Sequence, residues 1–532
     1  MAISMITEQT LRRLMQESVE EYAVIDVREQ GVHAEGHPLL AVSLPLSQIE
    51  LLAPLLMPRK SVTIYLLDQG PDLPLAERAA EVLQSLGYDN LSLVEEGVVG
   101  WHDAGFELFT GVNVPSKAFG EFVEATYGTP SVTAKELAGR QAAGERLLIL
   151  DSRPFAEFHR MSIPGGLNMP GAELLYRLHE TISDETTPII VNCAGRTRSI
   201  IGAQSLINAG IKNPVAALKD GTMGWHLAGF ELARGAELVA PAPGAAALEK
   251  SRARARQVAV NFGVKSIDLE TLAKLQSEAA ERSLFLFDVR TEEEYLAAHL
   301  PGARHAPGGQ LVQASDEYIG VRNARIVLID DCAVRGVMTA SWLVQMNWPD
   351  VYVLTAGPDA FTESGPPPGA EIKKAETITP YELDAVLASG EAVAVVDLAP
   401  SRDYRRGHIP GAFWAIRSRF AKDHIFMAPV GLLVLTSPDG ELAHLAAAEV
   451  ARLLPRTIVR VLGGGTRAWQ KTGLPLEAGE TQMLSRADDV WYKPYDYEAA
   501  ETVRRRMEEY LAWEIGLPRQ LARDGVMQFR RF

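Results

Sequence analysis

Residues Leu147–Gly166 read LLILDSRPFAEFHRMSIPGG: an apolar run closing on Asp151, a short helical pattern, and then Pro-Gly. The same succession returns as YAVIDVRE at Tyr22–Glu29, LFLFDVRTEEEYLAAHLPGA at Leu284–Ala303 and VAVVDLAPSRDYRRGHIPGA at Val393–Ala412. The aspartates Asp26, Asp151, Asp288 and Asp397 stand 125, 137 and 109 residues apart, which is domain spacing and too long for solenoid repeats. Pro164, Pro301 and Pro410 each follow their aspartate by 13 residues, and Gly36-His37-Pro38 takes nearly the same place in the first unit. A late aromatic follows at 75, 74, 73 and 72 residues, as Trp101, Trp225, Phe361 and Trp469. The chain is a tandem array of four related units.

Within a unit, strand-length apolar runs such as Leu147–Leu150 and Ile189–Val191 alternate with helical patterns. In Ser199–Ala209, Ile200, Ala203, Leu206 and Ile207 share a face, and Gly210 stands where a C-cap glycine belongs. This alternation predicts an α/β fold, each unit a mostly parallel sheet with helices on both faces and its site beyond the carboxyl ends of the strands. We expect units at 1–117, 118–250, 251–372 and 373–485, followed by a helical tail at 486–532. Linkers are expected near Asn113–Tyr127, Ala240–Ala247 and Gly365–Lys374. In the tail, Asp496–Ile515 reads as an amphipathic helix carrying Tyr497, Val503, Met507, Tyr510, Leu511 and Trp513, ready to dock on a unit of this chain or on a partner chain.

The units diverge 42 residues after the first aspartate. The second has Cys193 there, in VNCAGRTRSII, whereas the first and third have Asp68 and Asp330; the shorter fourth unit has Ser437 in the equivalent place. Cys193 and Cys332 are the two cysteines of all 532 residues, which excludes a disulfide framework, a multi-cysteine zinc site and an iron–sulfur cluster. A thiol between a strand and a helix start meets inward-turned backbone N–H groups and the positive end of the helix, both of which stabilise an anion on sulfur. Gly195 permits a tight turn there, and Arg196 and Arg198 add charge able to hold an oxyanion beside the sulfur. Their presence is informative because the net charge is −16, which argues against nucleic-acid or anionic-membrane partners. The amino-terminal stretch lacks an apolar run of signal-peptide or membrane-span length, so a cytoplasmic setting is expected.

These features together resemble the rhodanese-like domains, and the whole array resembles a sulfurtransferase with four of them. The family's Asp-x-Arg strand end is matched at Asp26/Arg28, Asp151/Arg153 and Asp288/Arg290, with Ala399 replacing the arginine in the fourth unit. Its Gly-His-Ile-Pro-Gly-Ala element is matched by Gly407–Ala412, whereas the second unit has Met161 and Ser162 in place of Gly-His. The family loop C-x-x-G-x-R-S is met by Cys193-Ala194-Gly195-Arg196-Thr197-Arg198-Ser199, with glycine one place early. The resemblance implies a persulfide cycle in which Cys193 takes sulfur from a thiosulfate-like donor and delivers it to cyanide or a thiol. Ala194 to Ser199 would bind substrate, and no metal or organic cofactor would be needed.

Other candidates weigh less. Units without the thiol keep the Asp151/Arg153 pair, which argues for structural support. Cys332 lies two residues past Asp330 and reads as a bystander, though a resolving thiol is the alternative. His33 and His37 lack the glutamate placement of a zinc protease, Gly463–Gly465 lacks the lysine of a phosphate loop, and the tryptophans read as packing residues. Two other functions stay open: a phosphatase-like enzyme, disfavoured because four residues rather than five separate Cys193 from Arg198, and a sensor or scaffold binding a protein through the thiol-free units or a second copy through the tail.

Overall fold

In the computed structural model, which describes residues 3–70, 74–367 and 372–532, each apolar run becomes the inner strand of its own sheet. Four five-stranded sheets result. In each, counting strands along the chain, the spatial order is first, fifth, fourth, second, third, and the paired strands run parallel. In the second unit, Leu148–Asp151 lies between Ile189–Asn192 and Leu167–Asn168.

Strand alternation explains why both faces need helices. Ile149, Ile190 and Leu218 face one way, into a cluster with Leu137 and Trp225. Leu150, Val191 and Ala217 face the other, toward Ile200 and Leu206. That second cluster continues through the first and third units as one core, while the fourth unit keeps cores of its own. The late tryptophans are packing residues: the indole N–H of Trp101, Trp225 and Trp469 donates to the carbonyl of Glu107, Glu231 and Pro475 respectively. Phe361, which lacks that donor, lies instead under the Arg290 guanidinium at 4.1 Å.

One expected linker is largely helical, and a second ends in the start of a helix. Asn113, in the left-handed region at φ 57°, starts the helix Val114–Tyr127, and Gly128 ends it. Its Ala118, Phe119 and Val123 form a buried face, a periodicity masked in the sequence by Pro115 and Gly120. Ala240–Ala247 runs into the helix Ala245–Phe262, so the expected divisions at 117/118 and 250/251 both fall inside helices. Gly365–Lys374 lies partly outside the described residues.

The tail departs from its expected limits. Asp496 belongs to a short 3-10 turn, Pro494–Asp496, and the helix runs from Ala500 to Asp524 through Pro518. Met507 and Leu511 pack against Met223 of the second unit, and Leu517 and Leu521 enter a core of the first. At its far end the carboxylate of Asp524 accepts from Arg12 at 2.9 Å. The tail therefore docks on the chain's own units. Among the described residues no helix is long and apolar enough to cross a membrane.

Candidate active site

The strand register makes the four divergent positions equivalent. Asp151 pairs with Asn192, Asp26 with Leu67, Asp288 with Ile329 and Asp397 with Thr436; the next residues are Cys193, Asp68, Asp330 and Ser437. Cys193 is 2% exposed, at the strand end and four residues before the helix Thr197–Asn208. The Ser199 hydroxyl donates to its sulfur at 3.0 Å.

The loop is braced from below by a second turn. Thr222 N–H donates to the Cys193 carbonyl and Met223 N–H to that of Ala194, both at 2.9 Å. Gly221, at φ 54°, makes this approach possible, since a Cβ there would stand 2.3 Å from the Cys193 carbonyl oxygen.

The thiol-free units disclose what the position favours. In the third, Asp330 accepts from Gly336 N–H at 3.0 Å, six residues on, where the second unit has Ser199. In the first, Asp68 accepts from the N–H groups of Gly70 and Ala76, both at 2.9 Å. The strand-to-helix loop thus receives a hydrogen-bonded carboxyl group in two units that have aspartate at the position of Cys193.

Of the expected substrate-binding residues, Ala194 and Arg198 border a cavity of about 330 Å³, and Ser199 holds the sulfur. Gly195, Arg196 and Thr197 turn elsewhere. The Arg196 guanidinium is buried among Glu121 (2.6 and 2.8 Å), Glu124 and Asp220 (3.1 Å), which fixes the loop to the helix Val114–Tyr127. It is a brace rather than an anion receptor because three carboxylates already surround it. Thr197 donates to Glu514 of the tail helix at 3.1 Å. Gly195 is outside the left-handed region, contrary to the turn reasoning; a Cβ there would lie 3.1 Å from Glu514 Oε2 and 3.2 Å from Tyr510 Cε1. Its early glycine makes room for the tail.

Arg198 is held by Glu157 (2.8 and 3.2 Å) and by Gln310 of the third unit (3.1 Å). Burial opposes the charge on Glu157, yet Arg198 beside it holds its pKa down to about 2. Arg198 in turn stays protonated against its own burial through Glu157 and the nearby Cys193. Asp151 and Arg153 form the expected buried pair, at 2.9 and 2.6 Å, with Arg153 also donating to the Met161 carbonyl at 2.6 Å. The first and third units repeat it with Arg28 on Gly36 and Arg290 on Ala298. Burial, and then Asp330 beside it, push the Cys332 thiol far up.

Sequence reasoning missed Lys117 and the tail residues Trp491, Lys493, Tyr495 and Tyr510, all of which line the cavity. Lys117 donates to Gln313 at 3.2 Å and lies 3.7 Å from Glu514; burial lowers its pKa. Tyr495 is fixed to the second unit by a 2.9 Å hydrogen bond with Thr222. The signal available was the amphipathic tail itself, without any indication of what it would cover.

A family model described as rhodanese-like domain matches residues 7–104, 133–228 and 268–364. A solved structure of thiosulfate sulfurtransferase from Pseudomonas aeruginosa is 45% identical and superposes with a TM-score of 0.94, covering 99% of each chain. An HTH-type transcriptional regulator from Mycobacterium tuberculosis is 36% identical over 111 residues, which are 20% of this chain and 48% of the regulator's length.

Proposed function

The chain belongs to the rhodanese-like domain family, and on that footing we propose that it is a sulfurtransferase of the thiosulfate type working through a persulfide on Cys193. The Cys193 thiolate attacks the outer sulfur of thiosulfate. The bond between the two donor sulfurs breaks, its electron pair leaves with sulfite, and Cys193 carries the transferred sulfur. Arg198, bordering the cavity, is the group suited to the donor's sulfonate and to the departing sulfite. Asp151 and Arg153 keep the strand end in shape. A thiol or cyanide then takes the outer sulfur and returns the thiolate. Two free cysteines suit a reducing, cytoplasmic setting.

The observation that carries this reading is the equivalence of Cys193 with Asp68 and Asp330. A loop that accepts a fixed carboxylate in two units supports a thiolate and a persulfide anion in the one that has sulfur. The test is mass spectrometry after exposure to thiosulfate. The expected result is a gain of one sulfur atom on the wild type, removed by cyanide and missing in Cys193→Ser. A persulfide that persists in that variant would overturn the single-site assignment and move attention to Cys332.

A further inference from the structure

The second and third units meet about a local twofold axis. Trp342 donates its indole N–H to the Ser205 hydroxyl at 2.9 Å, and each of these residues stands 54 positions after the first aspartate of its unit. Contact between equivalent positions is the mark of an isologous interface. The turns beside it obey the same exchange: a Cβ on Gly171 would lie 3.1 Å from Gly309 Cα, and one on Gly308 would lie 2.9 Å from Ala172 Cβ. Next in each turn come Glu173 and Gln310, 22 positions after Asp151 and Asp288, and each crosses to the other unit's loop arginine. Glu173 accepts from Arg335 at 3.2 Å, and Gln310 accepts from Arg198 at 3.1 Å. The exchange is symmetric in place and not in charge. Arg335 is met by Asp330, Asp331, Glu173 and Glu294. Around Arg198 the equivalent places hold Cys193, Ala194, Gln310 and Glu157, so of these four Glu157 alone is a carboxylate. Gln310 also borders the cavity beside Cys193. A guanidinium offers donors alone, so the amide turns its oxygen to Arg198 and keeps its NH2, a further donor, out of that contact. A glutamate in that place would offer acceptors alone and put a second negative charge beside the route of an anion.

We propose that Gln310 is a positioning residue that sets the charge specificity of the Cys193 site: supplied by the third unit, it orients Arg198 without cancelling its charge, and so favours anionic over neutral reagents at the thiol. The inference rests on the sulfurtransferase reading and deepens it by giving a thiol-free unit a part in the chemistry of its neighbour. Gln310 acts through Arg198. The same position on the other side of the axis, Glu173, helps to close the third unit's loop by completing the neutralisation of Arg335.

In the full-length protein, Cys193 is alkylated at pH 8 with iodoacetate or with iodoacetamide and read by peptide mass spectrometry, which separates it from Cys332; loading from thiosulfate is followed in parallel. Gln310→Glu should lower the ratio of iodoacetate to iodoacetamide rates at Cys193 at least about fivefold, and kcat/KM for the dianion thiosulfate about 30-fold, mostly through KM. Gln310→Met removes the hydrogen bond and adds no charge; it should keep the ratio within about twofold of wild type and slow thiosulfate loading about fivefold. Both alkylating reagents are compared on the same variant, so a loss in folding or in thiol reactivity cancels. Glu173→Gln alters the equivalent residue facing the other loop and should leave ratio and loading within about twofold of wild type. A ratio untouched by Gln310→Glu overturns the proposal, as does an equal fall in Gln310→Met or in Glu173→Gln. A Cys193 that neither reagent reaches overturns it too, because the opening bordered by Gln310 would then not lead to the thiol. A protein that shows the expected ratios but takes no sulfur from thiosulfate overturns the function reading instead.

Discussion

The second and third units have the same loop built around different side chains, Cys193 and Asp330. Arg198 and Arg335 each stand five residues after the divergent position, and each is held by a carboxylate six residues past its unit's first aspartate, Glu157 and Glu294. In the third unit the position is taken by a fixed carboxyl group: Asp330 accepts from Gly336 N–H and from Arg335 Nε (3.3 Å). Asp331 and Glu173 complete the ring around Arg335, which is 0% exposed against 11% for Arg198. The second unit has a thiol in that place and keeps its arginine at a cavity. On the proposed function, competence in this array rests on two departures from a shared frame, a thiol in place of a carboxylate and an arginine left partly accessible.

The largest effect comes from exchanging the anions. Cys193→Asp should fold, because the third unit supports that residue in that loop, and should lose sulfur transfer by at least about 10³-fold, since no nucleophile remains. The reverse exchange, Asp330→Cys with Cys193→Ser and Cys332→Ser, should load from thiosulfate at less than about 1% of the wild-type rate, because Arg335 stays enclosed by Asp331, Glu173 and Glu294. Quenched-flow mass spectrometry reads both. Loading of Cys at 330 at a rate near that of Cys193 would break the comparison, leaving the thiol alone as the difference.

The two loop arginines sharpen it next. Arg198→Gln should lower kcat/KM for thiosulfate about 10²-fold, the scale of removing one preorganised charged donor. Arg196→Gln should act on the fold. It strands Glu121, Glu124 and Asp220, a loss of about 2–4 kcal/mol that hydrogen exchange would register in the helix Thr197–Asn208. If the kinetic defect followed Arg196 instead, the assignment of the two side chains would be reversed.

Much of this frame was legible because it is local. The apolar run ending in aspartate, the strand–helix alternation and the position of Cys193 depend on residues close in sequence, and repetition four times separates them from chance. The early Gly195 was visible but its reason was not, since Glu514 and Tyr510, more than 300 residues away, supply the contact that a side chain would crowd. Arg196 was assigned to substrate for the same cause: nothing near it in sequence announces that Glu121 and Glu124 will face it. Asn113–Tyr127 was expected as a linker, yet Gly120 serves the crossing of its helix with Thr197, where a Cβ would come within 2.9 Å of the Thr197 Cα. Chemistry-bearing residues were readable one by one; the cavity, assembled from all four units and the tail, was not.

The smallest effect lies in the fourth unit, which has neither thiol nor the arginine of the strand-end pair. Burial raises the pKa of Asp397 to about 6, with Ala399 N–H (2.8 Å) and the Thr466 hydroxyl (3.4 Å) as its opposing donors. Asp26, buried as deeply, is held well below the usual carboxylate range because Arg28 and His33 outweigh the burial. The signs are therefore opposite. A raised folded-state pKa means that the folded unit binds the Asp397 proton more tightly than the unfolded chain does. Its stabilising contribution is complete below about pH 4 and is lost as pH rises through about 6, a change of about 3 kcal/mol. Asp26 contributes in the other direction, its stabilisation present above about pH 4 and lost on acidification. Asp397→Asn should then slow hydrogen exchange in the strand Val393–Asp397 at pH 8 and leave it nearly unchanged at pH 4. The same substitution at Asp26 should speed exchange of Tyr22–Asp26 at pH 8, because it leaves the buried Arg28 without its carboxylate. Equal responses of the two strands would mean that the missing arginine, replaced by Ala399, has no bearing on how the fourth unit carries its aspartate.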